Sequence, residues 1–289
     1  MSKDTFIKYI TSERRFSRHT IIAYNNDLEQ FAGYIQSYFN ISCDFSNVDF
    51  QMIRGWIASL LEDGFTARTV NRKISVLKSF FKFLLREGVV DHDPMSRIVN
   101  PKSNKKIPVF IEKNEIEFLL DKIEFDSGFI GDRDKLIIEL FYVTGIRLAE
   151  LISITVNDID YNLAIIKVLG KRNKERFIPL SSNIVMQLKE FTNKYKINNF
   201  LFTDNEGKKV YRKLVYRVVK KYLSKISNVD KKGPHILRHT FATHMLNNGA
   251  DINAIKELLG HANLSATQIY THNTIDKLKS VYKQAHPRG

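Results

Sequence analysis

The feature that most constrains the fold of this 289-residue chain is a break in its periodic pattern over residues 89–110. Prolines stand at positions 94, 101 and 108, and the stretch between the last two is rich in lysine, serine and asparagine. Proline cannot continue a helix interior or a central strand. The segment therefore predicts an interdomain linker between a domain of residues 1–88 and a larger domain of residues 111–289.

Residues 1–88 carry the pattern of an all-helical domain. Three residues that favour the start of a helix precede runs of apolar residues at helical spacing: Ser17, Asp49 and Thr66. We predict that the first helix runs to about Phe39, that the second stops at Gly64, and that the third ends before Gly88.

The third predicted helix carries two opposite stripes. One stripe is apolar and predicts packing in a core: Val70, Ile74, Leu77, Phe81, Leu84 and Leu85. The other combines cations with hydroxyl groups and contains no acid: Arg68, Arg72, Ser75, Ser79, Lys82 and Arg86. A stripe of this kind suits a phosphate backbone, so we expect its four cations to contact DNA. An ordinary solvated helix face is the alternative.

Residues 111–289 combine helical and strand patterns. Helices are predicted near 112–123, 132–143, 147–153, 182–195, 209–225, 235–247, 252–259, 264–270 and 274–285. Strands are predicted at 164–168 and 176–179, joined by a turn at 170–173. The predicted fold class is mainly α, with a helical N-terminal domain and a mixed α+β second domain that contains a small antiparallel sheet.

The charge of the chain favours a polyanionic partner. Its 45 lysine and arginine residues against 31 aspartate and glutamate residues give a net charge of +14. The excess is densest over residues 208–232, where ten residues are basic and one is acidic. Lys213, Arg217 and Lys220 share one face of the helix predicted there, which favours a helix lying in a DNA groove. A soluble surface helix is the alternative.

Cysteine content and hydropathy point to a compartment. The one cysteine, Cys43, excludes an internal disulfide and a cysteine-based zinc site. The N-terminus opens no apolar signal region, and no apolar run reaches the roughly 18 residues of a membrane span. We therefore expect a cytoplasmic protein with no membrane partner.

Six residues of the second domain form a candidate set for chemistry at a phosphodiester: Arg147, Lys171, His235, Arg238, His261 and Tyr270. Arginine suits phosphate because its planar fork makes two charge-assisted hydrogen bonds and stays protonated. Tyrosine can attack phosphorus when a histidine takes its proton, and lysine can protonate a departing alkoxide. This chemistry uses neither a metal nor another cofactor.

Two members of this set, Arg147 and His235, also have other interpretations. Arg147 and Glu150 stand three residues apart, a spacing that gives ordinary ion pairs on a helix. His235 and His239 stand four apart, a spacing that can bind zinc. The pattern lacks a glutamate after the first histidine and a cysteine, which disfavours a metal. We expect His239 and His244 to be structural.

Five segments, in this order, resemble the motifs of the tyrosine recombinase (integrase) superfamily, and within it the bacterial Xer-type recombinases. They read TGIRLAEL at 144–151, GKRNKERFIPL at 170–180, PHILRHTFATH at 234–244, LLGH at 258–261 and TQIYTH at 267–272. The helices of residues 1–88 resemble the core-binding, SAM-like domain of the family. The resemblance therefore covers nearly the whole chain.

The resemblance implies a site-specific DNA recombinase. Tyr270 is implied to attack one scissile phosphate of duplex DNA, which the five other residues of the set activate, and Glu150 is expected to support Arg147. The intermediate is implied to be a 3′-phosphotyrosine, so that neither ATP nor a metal is needed. The alternatives are an integrase of a mobile element, a DNA-binding protein without catalysis and a type IB topoisomerase.

The resemblance also implies partners. The family works as a tetramer on two copies of a specific site. The tetramer is formed by copies of one chain or by two related recombinases. The compact length and the ending at residues 286–289 fit the Xer subgroup that resolves chromosome dimers at a dif-like site, for which a septal DNA translocase is a further candidate partner. The last helix is implied to dock into a neighbouring protomer, with docking on its own domain as the alternative.

Overall fold

A computed structural model describes six parts of the chain: residues 3–39, 45–103, 109–170, 175–227, 232–260 and 272–289, the last with backbone alone at 272–275. The chain folds into two compact units, Met1–Lys106 and Ile107–Gly289. Within these six parts, no helix is both long enough and apolar enough to cross a membrane.

The first unit is built of helices. They are α1 (Lys3–Ser12), α2 (Arg18–Phe39), α3 (Phe50–Glu62) and α4 (Ala67–Arg86), with a single 3₁₀ turn at Phe45–Asn47. Asp49 and Thr66 accept hydrogen bonds from the backbone N–H groups of Met52 and Thr69, so both act as the predicted helix caps. The sequence does not predict α1, because only Phe6 and Ile10 of this short helix are buried and the helical period hardly repeats.

Part of the proline-containing segment packs with the first unit. Val90, Met95 and Ile98 are buried in the same core as Trp56 and Phe80. Their apolar side chains explain why the compact unit extends beyond residue 88, at which the helical pattern stops.

The second unit combines helices with one small sheet. Its elements are α5 (Lys113–Asp121), α6 (Gly128–Thr144), α7 (Leu148–Ser153), β1 (Ile159–Asp160), β2 (Ile165–Leu169), β3 (Glu175–Pro179), α8 (Ser182–Lys194), α9 (Arg212–Leu223), α10 (Pro234–Asn247), α11 (Ile252–Leu259) and α12 (His272–Ala285), with a 3₁₀ turn at Val156–Asp158. The predicted fold class is confirmed. The helix predicted near 264–270 lies outside the described residues.

The sheet is antiparallel in the order β1-β2-β3. In its register Ile166 faces Ile178 and Val168 faces Arg176. The sequence predicts β2 and β3 but not β1, since a two-residue strand is too short to show an alternating pattern. Along β3 the side chains of Arg176 and Ile178 point to the buried side of the sheet, whereas Glu175 is exposed.

Helix α6 lies at the centre of the second unit and packs against α8, α9 and α10. Every residue from Leu136 to Thr144 is buried, which the apolar run of this segment explains. Helix α12 packs on α10 and α11 of its own chain, with Leu278 and Tyr282 buried in the cluster that they share. Helix α10 thus contacts α6, α11 and α12.

Candidate active site

Arg147 is placed by a tight turn at the end of α6. Gly145 ends this helix in the left-handed conformation, with a φ of 58°, and Arg147 then stands at the start of α7. Glu150 holds it there, because its carboxylate accepts the backbone N–H of Arg147 at 2.8 Å and the guanidinium at 2.9 Å. The ion pair considered as an alternative is therefore present, and it fixes the orientation of the arginine.

Gly145 also lacks room for a side chain. A Cβ at this position meets Phe241 Cδ1 at 2.6 Å and Leu259 Cδ2 at 2.8 Å. We expect Gly145→Ala to reduce the free energy of unfolding by about 2–5 kcal/mol, which combines the cost of a left-handed alanine with overpacking. Urea unfolding measures this loss.

Gly249→Ala is the matched control, since Gly249 also has a positive φ, of 86°, but has no atom within 4 Å of its Cβ position. It should lose about 1–2 kcal/mol, the backbone cost alone. Equal losses in the two variants would mean that the contacts with Phe241 and Leu259 impose no constraint on the turn.

Arg238 and His235 lie on α10. This helix begins at Pro234 after Gly233, as predicted, and proline suits the first helical position because its missing N–H is not needed there. Arg238 falls in the second turn and not in the first, because the helix starts at Pro234 itself. Arg238 is half-buried and His235 is exposed, and their spacing of three places both on one face.

The two predicted arginines converge at the C-terminus of α11. Arg147 Nη2 donates to the carbonyl oxygen of Gly260 at 2.7 Å. Arg238 Nη2 donates to that of Leu259 at 2.7 Å, and its Nη1 donates to that of Gly145 at 2.6 Å. The last carbonyl groups of a helix lack partners within the helix and carry partial negative charge, which explains why cations collect there.

Arg176 joins this cluster, although it is not among the site residues predicted from the sequence. Its guanidinium makes two hydrogen bonds to the Glu150 carboxylate, at 2.6 and 2.9 Å, and its Nε donates to the carbonyl oxygen of Leu258 at 3.1 Å. The period of β3 carries a signal for it, because Arg176 alternates with the apolar Ile178 and Leu180. An arginine on the apolar face of a strand predicts a buried partner.

The electrostatics of the cluster favour an anion. Burial, and then the charges of Arg147 and Arg176, lower the pKa of Arg238 to about 9, so Arg238 is still protonated at neutral pH. Burial raises the pKa of the Glu150 carboxyl. Arg176 and then Arg147 lower this pKa by more than burial raises it, so the net shift is downward. Three cations thus lie close together, two of them paired with the one carboxylate of Glu150, and a phosphate would relieve the remaining repulsion.

The other candidates of the catalytic set fall on parts of the chain that the structure leaves undescribed. Lys171, His261 and Tyr270 lie outside the described residues. Two of them directly follow described positions: Lys171 comes after Gly170, in the connection from β2 to β3, and His261 comes after Gly260.

His244 is a core residue. It is buried, its Nδ1 lies 3.1 Å from the Tyr142 hydroxyl, and its ring meets Phe110 edge-on. No group of three or more histidine, cysteine, aspartate or glutamate side chains suited to hold a metal occurs in the described ranges.

The predicted basic stripe of α4 is exposed but is not free of acids. Arg68 and Lys82 are exposed. Arg72, with a side chain 48% exposed, makes two hydrogen bonds to the buried carboxylate of Asp27. Arg86 pairs with Glu87 at 2.7 Å. A projection of α4 alone does not show these acids, because Asp27 comes from α2 and Glu87 follows the helix.

The basic face of α9 agrees with its helical projection. Lys213, Arg217 and Lys220 are exposed. The residues predicted to turn away from them, Val215, Val218 and Tyr222, are buried. Arg217 Nη2 donates to the hydroxyl of Tyr211 at 2.7 Å, which holds one basic side chain against an aromatic ring on the surface.

Family models and relatives match nearly the whole chain. The model of the phage integrase family matches residues 109–276, and that of the phage integrase N-terminal SAM-like domain matches residues 4–88. Tyrosine recombinase XerC of Staphylococcus epidermidis is 39% identical over 99% of this chain and 97% of the relative. Tyrosine recombinase XerD of Staphylococcus haemolyticus is 37% identical over 99% and 98%.

Solved structures share the fold. The XerH site-specific recombinase bound to a palindromic difH substrate has a TM-score of 0.73 and 23% identity, over 99% of this chain and 82% of that chain. The Tn1549 transposon integrase in complex with circular intermediate DNA has a TM-score of 0.72 and 20% identity, over 93% and 96%. Two matching family models and close relatives along the full length leave one assignment: the chain belongs to the phage integrase family and is a site-specific tyrosine recombinase of the Xer type.

Proposed function

We propose that this chain cuts and rejoins duplex DNA with a catalytic set of six residues: Arg147, Lys171, His235, Arg238, His261 and Tyr270. One observation carries the proposal. Arg147 and Arg238, which stand far apart in the sequence, donate to the neighbouring carbonyl groups of Gly260 and Leu259. The chain continues from there directly into His261. Two guanidinium groups at one point form a clamp for a phosphodiester.

In this mechanism the tyrosine hydroxyl attacks phosphorus. Arg147 and Arg238 bind the non-bridging oxygens, where charge grows in the transition state, and His235 donates to the same phosphate. His261 takes the phenolic proton as the bond from Tyr270 to phosphorus forms. Lys171 gives a proton to the 5′-oxygen as its bond to phosphorus breaks. The 5′-hydroxyl of the partner strand then attacks the phosphotyrosine, which joins the new pair of ends and releases Tyr270. No ATP is needed, because the phosphotyrosine bond conserves the energy of the DNA bond that was cut.

Lys171→Ala tests the proton transfer. The variant should cleave ordinary DNA slowly, by about 10²–10⁴-fold, because the 5′-alkoxide then leaves without a proton. A substrate with sulfur at the 5′-bridging position should restore most of the rate, since a thiolate is a stable leaving group. Single-turnover cleavage of both substrates gives the comparison.

Lys167→Ala is the matched control, because Lys167 is an exposed lysine of the preceding strand β2 that lies 3.8 Å from Glu175. It should cleave both substrates normally. An equal defect of Lys171→Ala on the two substrates would assign Lys171 to another task, such as positioning the phosphate.

We propose that the biological site is a dif-like chromosomal sequence, on which the chain acts as a tetramer, alone or with a related recombinase. The support is the 37–39% identity with XerC and XerD relatives over nearly the whole chain. A septal DNA translocase is a further proposed partner.

Mapping the binding sites of the chain on its own chromosome, followed by strand exchange between two copies of the bound segment, tests this role. One dominant chromosomal site that supports exchange is expected. Binding only at the ends of a mobile element would favour an integrase instead, and relaxation of supercoils without exchange would favour a topoisomerase.

Two helix faces are proposed to contact DNA: Arg68, Arg72, Lys82 and Arg86 on α4, and Lys213, Arg217 and Lys220 on α9. We expect the double variant Arg217→Ala/Lys220→Ala to reduce the slope of log affinity against log salt by about 2, roughly 0.9 for each phosphate that the helix no longer neutralises. Gel-shift titrations at several salt concentrations measure the slope.

The double variant Lys221→Ala/Lys225→Ala removes the same charge from the end of α9 and the turn that follows it, and serves as the control. Lys221 is paired with Asp126 at 2.6 Å, and Lys225 Nζ donates to the Glu124 carbonyl oxygen. Its slope should stay close to that of the unchanged protein. The same slope in both double variants would show that net charge, and not this face of α9, determines binding.

A further inference from the structure

We infer that Arg176 is a positioning residue for the reaction: it holds Arg147 and the end of α11 in place when Arg147 and Arg238 bind the scissile phosphate. This inference rests on the proposed function, because it concerns the phosphate clamp. It assigns a task to a residue outside the catalytic set of six.

Three arginines bind three consecutive carbonyl groups at the end of α11. Arg176 Nε donates to Leu258, Arg238 Nη2 to Leu259 and Arg147 Nη2 to Gly260. Each arginine comes from a different element: β3, α10 and the start of α7. The end of α11 is therefore the point that ties these elements together.

The three arginines differ in how accessible their guanidinium groups are to a ligand. The side chain of Arg147 is 32% exposed, and Arg238 is half-buried. Arg176 is 4% exposed, and each of its three guanidinium nitrogens donates inside the protein. A phosphate can therefore engage Arg147 and Arg238 but not Arg176.

Glu150 connects Arg176 to the clamp. Its Oε1 accepts from both Arg176 Nη1, at 2.6 Å, and Arg147 Nη1, at 2.9 Å. Its Oε2 accepts from Arg176 Nη2 and from the backbone N–H of Arg147. The two hydrogen bonds from Arg176 fix the plane of the carboxylate, and that plane sets the direction of the Arg147 guanidinium.

Gly260 shows how closely Arg176 is packed at this point. A Cβ at Gly260 meets Arg176 Cδ at 2.9 Å and Nε at 3.1 Å. The stem of Arg176 thus lies against the residue whose carbonyl oxygen receives Arg147. A shorter or unbranched cation at position 176 cannot reproduce both the contact and the two-pronged hydrogen bond.

The test is Arg176→Lys on two substrates. One carries an ordinary scissile phosphate, and the other carries a methylphosphonate, in which a methyl group replaces one charged oxygen and lessens the need for the clamp. We expect Arg176→Lys to slow single-turnover cleavage of the phosphate by about 100-fold, as for a misplacement of roughly 1 Å. The loss on the methylphosphonate should be much smaller.

This comparison also covers a variant that folds poorly. Both substrates are cleaved by the same preparation, so a smaller folded fraction lowers both rates equally and cancels from their ratio. Arg176→Gln, which leaves the Glu150 carboxylate paired with Arg147, should give the same unequal losses. Equal losses on the two substrates, or no loss, would overturn the positioning role.

Arg133→Lys is the matched control. Arg133 is buried in the same unit and makes two hydrogen bonds to Asp134, at 2.9 and 2.7 Å, but it lies eleven residues from the end of α6, about 17 Å along the helix. The Arg133→Lys variant should cleave both substrates at normal rates.

Arg147→Ala separates the inference from the proposed function. This variant should show the unequal losses most strongly. If Arg147→Ala cleaves the phosphate normally, the proposed function itself fails. If Arg147→Ala shows the unequal losses and Arg176→Lys does not, only the role of Arg176 fails.

Discussion

Replacing Tyr270 with phenylalanine should abolish the covalent protein–DNA adduct and leave DNA binding intact. Phenylalanine keeps the aromatic ring and loses only the oxygen that attacks phosphorus, so the step cannot start. A nicked suicide substrate traps the adduct, because the strand beyond the cut diffuses away. A denaturing gel measures the adduct, and a gel shift measures binding.

Tyr282→Phe is the control for this experiment. The Tyr282 hydroxyl is buried, so a phosphate has no access to it, and burial raises its pKa above the usual value for tyrosine, which disfavours the phenolate. This variant should form the adduct in normal yield. An adduct of undiminished yield from Tyr270→Phe would remove Tyr270 from its proposed role.

The second large effect concerns the clamp. Arg147→Ala and Arg238→Ala should each lower the rate of strand cleavage by about 10³-fold or more, since each removes a preorganised cation from the growing charge of the transition state. The lysine variants should recover little of the rate, because an ammonium group lacks the planar fork. Single-turnover cleavage with DNA saturated by protein measures the chemical step alone.

Thermal unfolding is needed beside these rates, because both arginines also support the fold. Arg238 donates to Gly145 and Leu259, and Arg147 is paired with Glu150. A variant that is folded at the assay temperature and cleaves within a few-fold of the unchanged protein would contradict the clamp.

Most of the helices follow from local sequence. Caps and apolar stripes predict α2, α3 and α4, and α11 begins and ends where the sequence places it, at residues 252 and 259. The elements that the sequence does not predict, α1 and β1, are too short to repeat their period. Helix α1 is stabilised by packing of Phe6 against Phe80 and Phe83, which are distant in the sequence, and β1 is stabilised by pairing with the neighbouring strand β2.

The candidate site is only partly predictable from sequence for the same reason. The turn before Arg147 and the start of the helix before Arg238 depend on local sequence, and both are found where predicted. The one difference is that Arg238 lies in the second turn of its helix and not in the first. The meeting of both arginines with Arg176 at the end of α11 depends on tertiary packing of α10 against α6 and α11. The carboxylate of Asp27 beside Arg72 is a second contact of this kind.

The most direct test of the central claim identifies the bond between protein and DNA. The adduct trapped on a suicide substrate is digested with a protease and a nuclease, and mass spectrometry locates the residue that carries the nucleotide. The proposed function predicts a peptide in which Tyr270 is joined to a 3′-phosphate, with a free 5′-hydroxyl on the released strand. A nucleotide on another residue, or a linkage through a 5′-phosphate, would contradict it.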